Sequence, residues 1–167
     1  YSNERHIYTS FLGYINLHLD YQVTVLSKHK EELNFHLNLG KITRTKRFDL
    51  DNYTTEKLGV IYTKEATTFK VWSPVAKEIK LIVNDKEYGM SYTNKGVWTY
   101  KINEDIENAA YYYMVRVNEE FIKSLDPYGI SSTPNFTANL VVDLNKSYQM
   151  VNDYVHFSDP IIEELSI

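Results

Sequence analysis

The chain has 167 residues, of which 43% are hydrophobic and 24% charged, with a net charge of −4 and no cysteine. That balance favours a packed core over global disorder and excludes a disulfide framework or a thiolate metal site. No basic run is long enough to track a phosphate backbone, and no stretch approaches the ~20 apolar residues of a membrane helix, so neither nucleic acid nor membrane is an expected partner.

The pattern from Tyr14 to Leu26 has period two. Ile15, Leu17, Leu19, Tyr21, Val23 and Val25 alternate with Asn16, His18, Asp20, Gln22 and Thr24. After a polar break from Ser27 to Glu32, Leu33, Phe35, Leu37 and Leu39 alternate with Asn34, His36 and Asn38. Period two marks half-buried strands, and two of them around a polar loop predict a long β-hairpin. Pairing about His29 sets His36 opposite Gln22 and His18 opposite Gly40. A hairpin with one greasy face is marginal alone, so that face is expected to be covered, and self-association of the chain through it is one way.

Residues 46 to 59 carry turn formers (Asp49, Asp51, Asn52, Gly59) and no persistent period, which predicts a connector. Strands then follow at short intervals. They are expected at Val60–Tyr62, Thr67–Trp72, Ile79–Val83, Val97–Ile102, Tyr111–Val117, Glu120–Lys123 and Asn139–Leu144. Asn84-Asp85 and Asn118-Glu119 supply turns, and Asp126-Pro127-Tyr128-Gly129 opens a loop. The fold class is all-β, an immunoglobulin-like antiparallel β-sandwich preceded by a β-hairpin-rich partial domain. Tyrosine occurs 15 times, most of it expected in sheet packing. Trp98 shares a face with Tyr100 and Ile102 and is assigned to the core. Trp72 alternates with Val71 and points outward, where a large aromatic marks a domain interface.

The run from Leu58 to Tyr62, followed by Thr68-Phe69-Lys70-Val71-Trp72-Ser73-Pro74, resembles the start of a family 48 carbohydrate-binding module of the kind found in type I pullulanases. Gly96-Val97-Trp98-Thr99, Tyr111 to Tyr113 with Val115 and Val117, Asp126-Pro127-Tyr128, and Val141 to Leu144 resemble later elements of that module, in the same order. The resemblance covers residues 46 to 145. Before it, Leu39-Gly40, Arg44-Thr45 and Phe48-Asp49 resemble the exit from the extra N-terminal domain of those enzymes, so residues 1 to 45 are expected to be a hairpin remnant of that domain. After it, Phe157 and Asp159 to Ile167 resemble the lead into a family 13 catalytic barrel, although Glu163 stands where the family usually has an aromatic. Residues 146 to 167 are therefore expected to be a linker and barrel entry.

The resemblance implies a non-catalytic N-terminal fragment of an α-1,6-glucan debranching glycoside hydrolase. Its implied partners are α-glucan and, in cis, a catalytic barrel that lies beyond these residues. A stand-alone glycogen-binding scaffold and a structural immunoglobulin-like interaction domain are the alternatives. The lack of cysteine fits a cytoplasmic compartment and leaves secretion open. In glycogen-binding relatives, two tryptophans, a lysine and an asparagine contact the sugar. Their positions fall near Tyr88, Phe121, Met114 and Asn139, so Tyr88, Phe121 and Asn139 are the carbohydrate-binding candidates and the lysine is lost.

No catalytic pair is expected. Glycoside hydrolysis needs two carboxyl groups about 5–10 Å apart across the scissile bond, whereas neighbours in a strand point to opposite faces. Glu31-Glu32, Glu119-Glu120 and Glu163-Glu164 therefore read as solvated surface. The five histidines do not converge as zinc ligands would, so no metal and no cofactor is expected.

Overall fold

A computed structural model describes residues 15–26, 31–37 and 39–146. The expectations placed on residues 1–14 and on 147–167, including the barrel entry, lie outside the described residues.

The N-terminal hairpin pairs β1 (Gln22–Leu26) with β2 (Glu32–His36). Its register sets Gln22 opposite His36, the pairing expected from the sequence. The first strand is shorter than its alternation suggested. Between Asn16 and Leu19 the chain turns instead, with Leu19 N–H donating to the Asn16 carbonyl at 3.2 Å and His18 N–H to Asn16 Oδ1 at 3.0 Å. An asparagine side chain that captures a nearby backbone amide competes with strand pairing. One hairpin face carries Val23 and Val25 opposite Phe35 and Leu33, and both Leu33 and Phe35 are more than half exposed.

The connector is not irregular. A short 3-10 segment, Leu39–Arg44, leads into α1 (Lys46–Asn52). Thr45 caps that helix, its hydroxyl accepting from Phe48 N–H at 3.2 Å, and Arg47 pairs with Asp51 one turn on at 2.6 Å. Phe48 is the helix's one buried residue. A single apolar anchor leaves too little periodicity to read, but the Thr45 cap supplies a local reason for the turn.

The sandwich has two antiparallel sheets. The smaller runs β3 (Gly59–Tyr62), β4 (Thr67–Trp72), β8 (Val97–Ile102), β7 (Ser91–Tyr92). The larger runs β11 (Ser131–Ser132), β12 (Asn139–Leu140), β9 (Ala110–Arg116), β5 (Glu78–Val83), β6 (Lys86–Gly89). A further strand, β10 (Phe121–Ser124), pairs only with β9. The β-branched and aromatic runs therefore form the strands their composition predicts. The edge pieces β6, β7 and β11 are too short and polar to show a period. The closing strand ends at Leu140 rather than Leu144.

Period two sorts the side chains. Phe69, Val71, Trp98 and Ile102 of the small sheet face Ile79, Leu81, Val83, Tyr111 and Tyr113 of the large one in a single core. The Phe69 and Tyr111 rings meet edge-on with centroids 5.2 Å apart. Trp98 is buried, as its face implied, and its indole N–H donates to the Ser73 carbonyl at 3.0 Å. The β5–β6 hairpin turns on Asn84 and Asp85, both at positive φ (45° and 63°), the two-residue geometry that suits Asn and Asp.

Candidate functional site

The outer face of the large sheet follows from its registers. Lys80 lies opposite Met114, and Met114 lies opposite Lys123 on the other side. Phe121 lies opposite Arg116, and Arg116 opposite Glu78. One solvent-facing surface thus presents Tyr112, Met114 and Arg116 from β9, Lys80 from β5, and Phe121 and Lys123 from β10.

Both aromatic rings on this surface are covered by cations. The Lys123 ammonium sits 3.9 Å from the Tyr112 ring centroid, and Lys80 sits 4.8 Å from that of Phe121. Arg116 adds a third contact, 6.0 Å from Phe121. Each such contact is worth about 0.5–1 kcal/mol at an exposed site, which arranges the rings without locking them. Lys80 also pairs with Glu87 at 2.8 Å, and this hydrogen bond lifts its pKa above the ordinary lysine value. Arg116 pairs with Glu78 at 3.3 Å. The result is two aromatic rings with cations over them and the carboxylates of Glu87 and Glu78 beside those cations.

The three sequence candidates are not brought together. Phe121 stands on this outer face. Tyr88 pairs with Leu81, a fully buried core residue, so it turns inward, packing on Tyr100 of the opposite sheet at a centroid distance of 5.1 Å. Asn139 is buried, and its side-chain oxygen accepts from Asp126 N–H at 2.8 Å. Alternation shows that a strand has two faces, but only the partner strand says which is inside. Tyr112, Lys80 and Lys123 share that face and were not singled out from the sequence. Lys80 and Lys123 flank Met114 across the sheet, a juxtaposition that no one-dimensional spacing reports.

Trp72 is partly exposed, and its indole N–H lies 3.0 Å from the carbonyls of both Asn52 and Lys95. It sits where the end of α1 meets the sandwich.

A cavity of about 670 Å³ separates the N-terminal segment from the sandwich, lined in part by Leu17, Asp20, His36, Lys77, Val117 and Glu119. Across the gap Lys77 pairs with Asp20, and His36 Nε2 lies 3.7 Å from the Glu119 carboxylate. Burial lowers the Lys77 pKa. His18 completes the seam, with Nδ1 2.7 Å from the Ala76 carbonyl and its ring 4.3 Å from that of Tyr92. We read this cavity as the joint between the two parts. Among the described residues no group of three metal-ligating side chains converges, and no helix is long and apolar enough to cross a membrane.

The architecture is that of an immunoglobulin-like β-sandwich module. Residues 57–129 match the family Carbohydrate-binding module 48 (Isoamylase N-terminal domain). Similarity extends beyond the module and is consistent with the N-terminal region of a type I pullulanase. The chain is 30% identical over 149 residues to a pullulanase of Bacillus subtilis (strain 168), covering 85% of this chain and 20% of the relative. The crystal structure of a pullulanase from Anoxybacillus sp. LM18-11 complexed with maltotetraose superposes with a TM-score of 0.64 at 38% identity, over 68% of this chain and 18% of that one. A 1,4-alpha-glucan branching enzyme of Geobacillus stearothermophilus is 33% identical over 91 residues, half of this chain and 14% of the relative. The chain thus spans about a fifth of the length of the pullulanases it matches.

Proposed function

We propose that this chain is the α-glucan-binding accessory region of a pullulanase-like debranching glycosidase, with the outer face of the large sheet as its sugar surface. The observation that carries the reading is the pair of outward rings, Tyr112 and Phe121, bordered by Lys80, Lys123 and Arg116. A pyranose ring stacks its apolar face on these rings in place of the lysine ammoniums, which swing aside to reach its hydroxyls. The two lysines beside Met114 supply the cationic donor that position 114 itself lacks. The catalytic carboxylates of the parent enzyme are assigned to a barrel outside these residues. The proposed domain limits are 1–45, 46–145 and 146–167, and the proposed compartment is the cytoplasm, with secretion as the alternative.

The test is an amide NMR titration with maltoheptaose. Saturable shifts centred on Tyr112, Phe121 and Lys123 support the reading. Their absence up to millimolar sugar, where binding would be worth only about −4 kcal/mol, refutes it.

A second role, bracing the barrel, draws on the opposite end of the module. Ile130 and Phe136 are 69% and 76% exposed there, and Phe136 is held at a φ of 51°. An aromatic fixed outward at positive φ is built to meet something.

A further inference from the structure

Strand β10 is the weak point of the proposed surface. It carries Phe121 and Lys123, yet it pairs with β9 alone, over four residue pairs. A strand so short and one-sided does not hold two side chains in place by its ladder. Two residues beyond its end lies Asp126, only 4% exposed.

The Asp126 carboxylate collects donors from three places. Tyr111 O–H of β9 donates to Oδ2 at 2.9 Å, Tyr113 O–H of β9 donates to the same oxygen at 3.5 Å, and Tyr128 N–H donates to Oδ1 at 2.9 Å. Its own N–H donates to Asn139 of β12. The turn that follows is pressed from both sides. A Cβ on Gly129 would collide with the Asn139 amide, and a Cβ on Gly59 of β3, at φ +90°, would lie 2.9 Å from Tyr128 Cβ. The titratable groups facing the carboxyl are the tyrosines 111 and 113, and among the described residues no cation pairs with it. A buried carboxylate without a counter-charge is a poor way to stabilise a fold. It is a good way to fix a position, because it draws several donors to one point.

We infer that Asp126 is the positioning residue of the outer face: through the inward hydroxyls of Tyr111 and Tyr113 it pins the end of β10 to β9, and so holds Phe121 and Lys123 beside Tyr112 and Arg116. The inference rests on the sugar surface proposed above. It assigns to Asp126, on the core side of the sheet, a part in binding on the other side.

Asp126→Asn keeps an acceptor for Tyr128 N–H but turns a donor toward both tyrosine hydroxyls. Tyr111→Phe removes the shorter of the two links and serves where Asp126→Asn does not fold. Each variant, still folded, is expected to bind maltoheptaose about tenfold more weakly, and the double variant no more weakly than Asp126→Asn alone. A purely structural role would lower the unfolding temperature yet leave the affinity of the folded molecules intact, and that result overturns the inference. Amide exchange separates this from failure of the glucan reading. Protection at Phe121–Ser124 is expected to fall in both variants while β5 and β8 keep theirs. Unchanged β10 protection overturns the inference whether or not sugar binds.

Discussion

Thr67 opens β4 on the core side of the small sheet, opposite Ile102, and is fully buried. Its hydroxyl is buried without a hydrogen-bond partner. Leaving such a group unsatisfied costs about 1–3 kcal/mol. Thr67→Val keeps the β-branched shape and replaces the hydroxyl by a methyl whose burial contributes about 0.8 kcal/mol. Valine is at least as good a strand former, so no backbone cost offsets the gain. We expect the variant to be more stable by about 1–3 kcal/mol, a rise of roughly 5 °C or more in Tm for a domain of this size. Thr67→Ser is the control: it keeps the orphan hydroxyl, loses the methyl, and should cost about 1 kcal/mol. Urea and thermal unfolding of the whole chain, followed by circular dichroism, measure both. If Thr67→Val destabilises by 1 kcal/mol or more, the hydroxyl has a partner in solution and the reasoning fails.

Phe121→Ala and Tyr112→Ala should each cost about tenfold or more in maltoheptaose affinity with little loss of stability, whereas Tyr88→Ala should leave sugar binding unchanged and destabilise through its lost packing on Tyr100, as titration calorimetry beside thermal melts would show. His18→Ala should release the N-terminal segment without lowering the Tm of the sandwich. Amide exchange would rise across Gln22–Leu26 and stay level in β5, and unchanged exchange would rule out His18 as the residue that holds the seam. For Asp126 the sign follows from linkage. Burial raises its carboxyl above the ordinary aspartate range, against the pull of the Tyr128 N–H and the Tyr111 and Tyr113 hydroxyls. The folded chain therefore holds that proton more tightly than the unfolded chain. The stability this lends is fully present below the unfolded value and is lost as pH rises through the raised folded one. Wild type should lose stability relative to Asp126→Asn over that window, and urea midpoints that run parallel at every pH would contradict it.

Much of the fold was legible because strands carry their own signature. Thr67–Trp72 and Val97–Ile102 are bounded in the structure at the residues where Pro74 and Gly96 end and begin the apolar runs. The Asn84-Asp85 turn and the inward face of Trp98 follow from local chemistry as well. Alternation failed where a side chain offered the backbone another bond, as Asn16 does, and where an element hung on one anchor, as α1 does on Phe48. Of the proposed sugar surface, only Phe121 was legible in the sequence.

The sequence by itself determined a two-sheet β module, its strand order along the chain and its family resemblance, since these depend on residue type and spacing. The tertiary structure alone decided which face β6 presents and which side chains meet on the outer face of the large sheet. Tyr88 turned inward because it pairs with Leu81, while Lys80 and Lys123 met beside Met114 because β5 and β10 lie on either side of β9. Those strands are far apart in sequence, and their registers are set by the packing of the whole core rather than by any segment's own pattern.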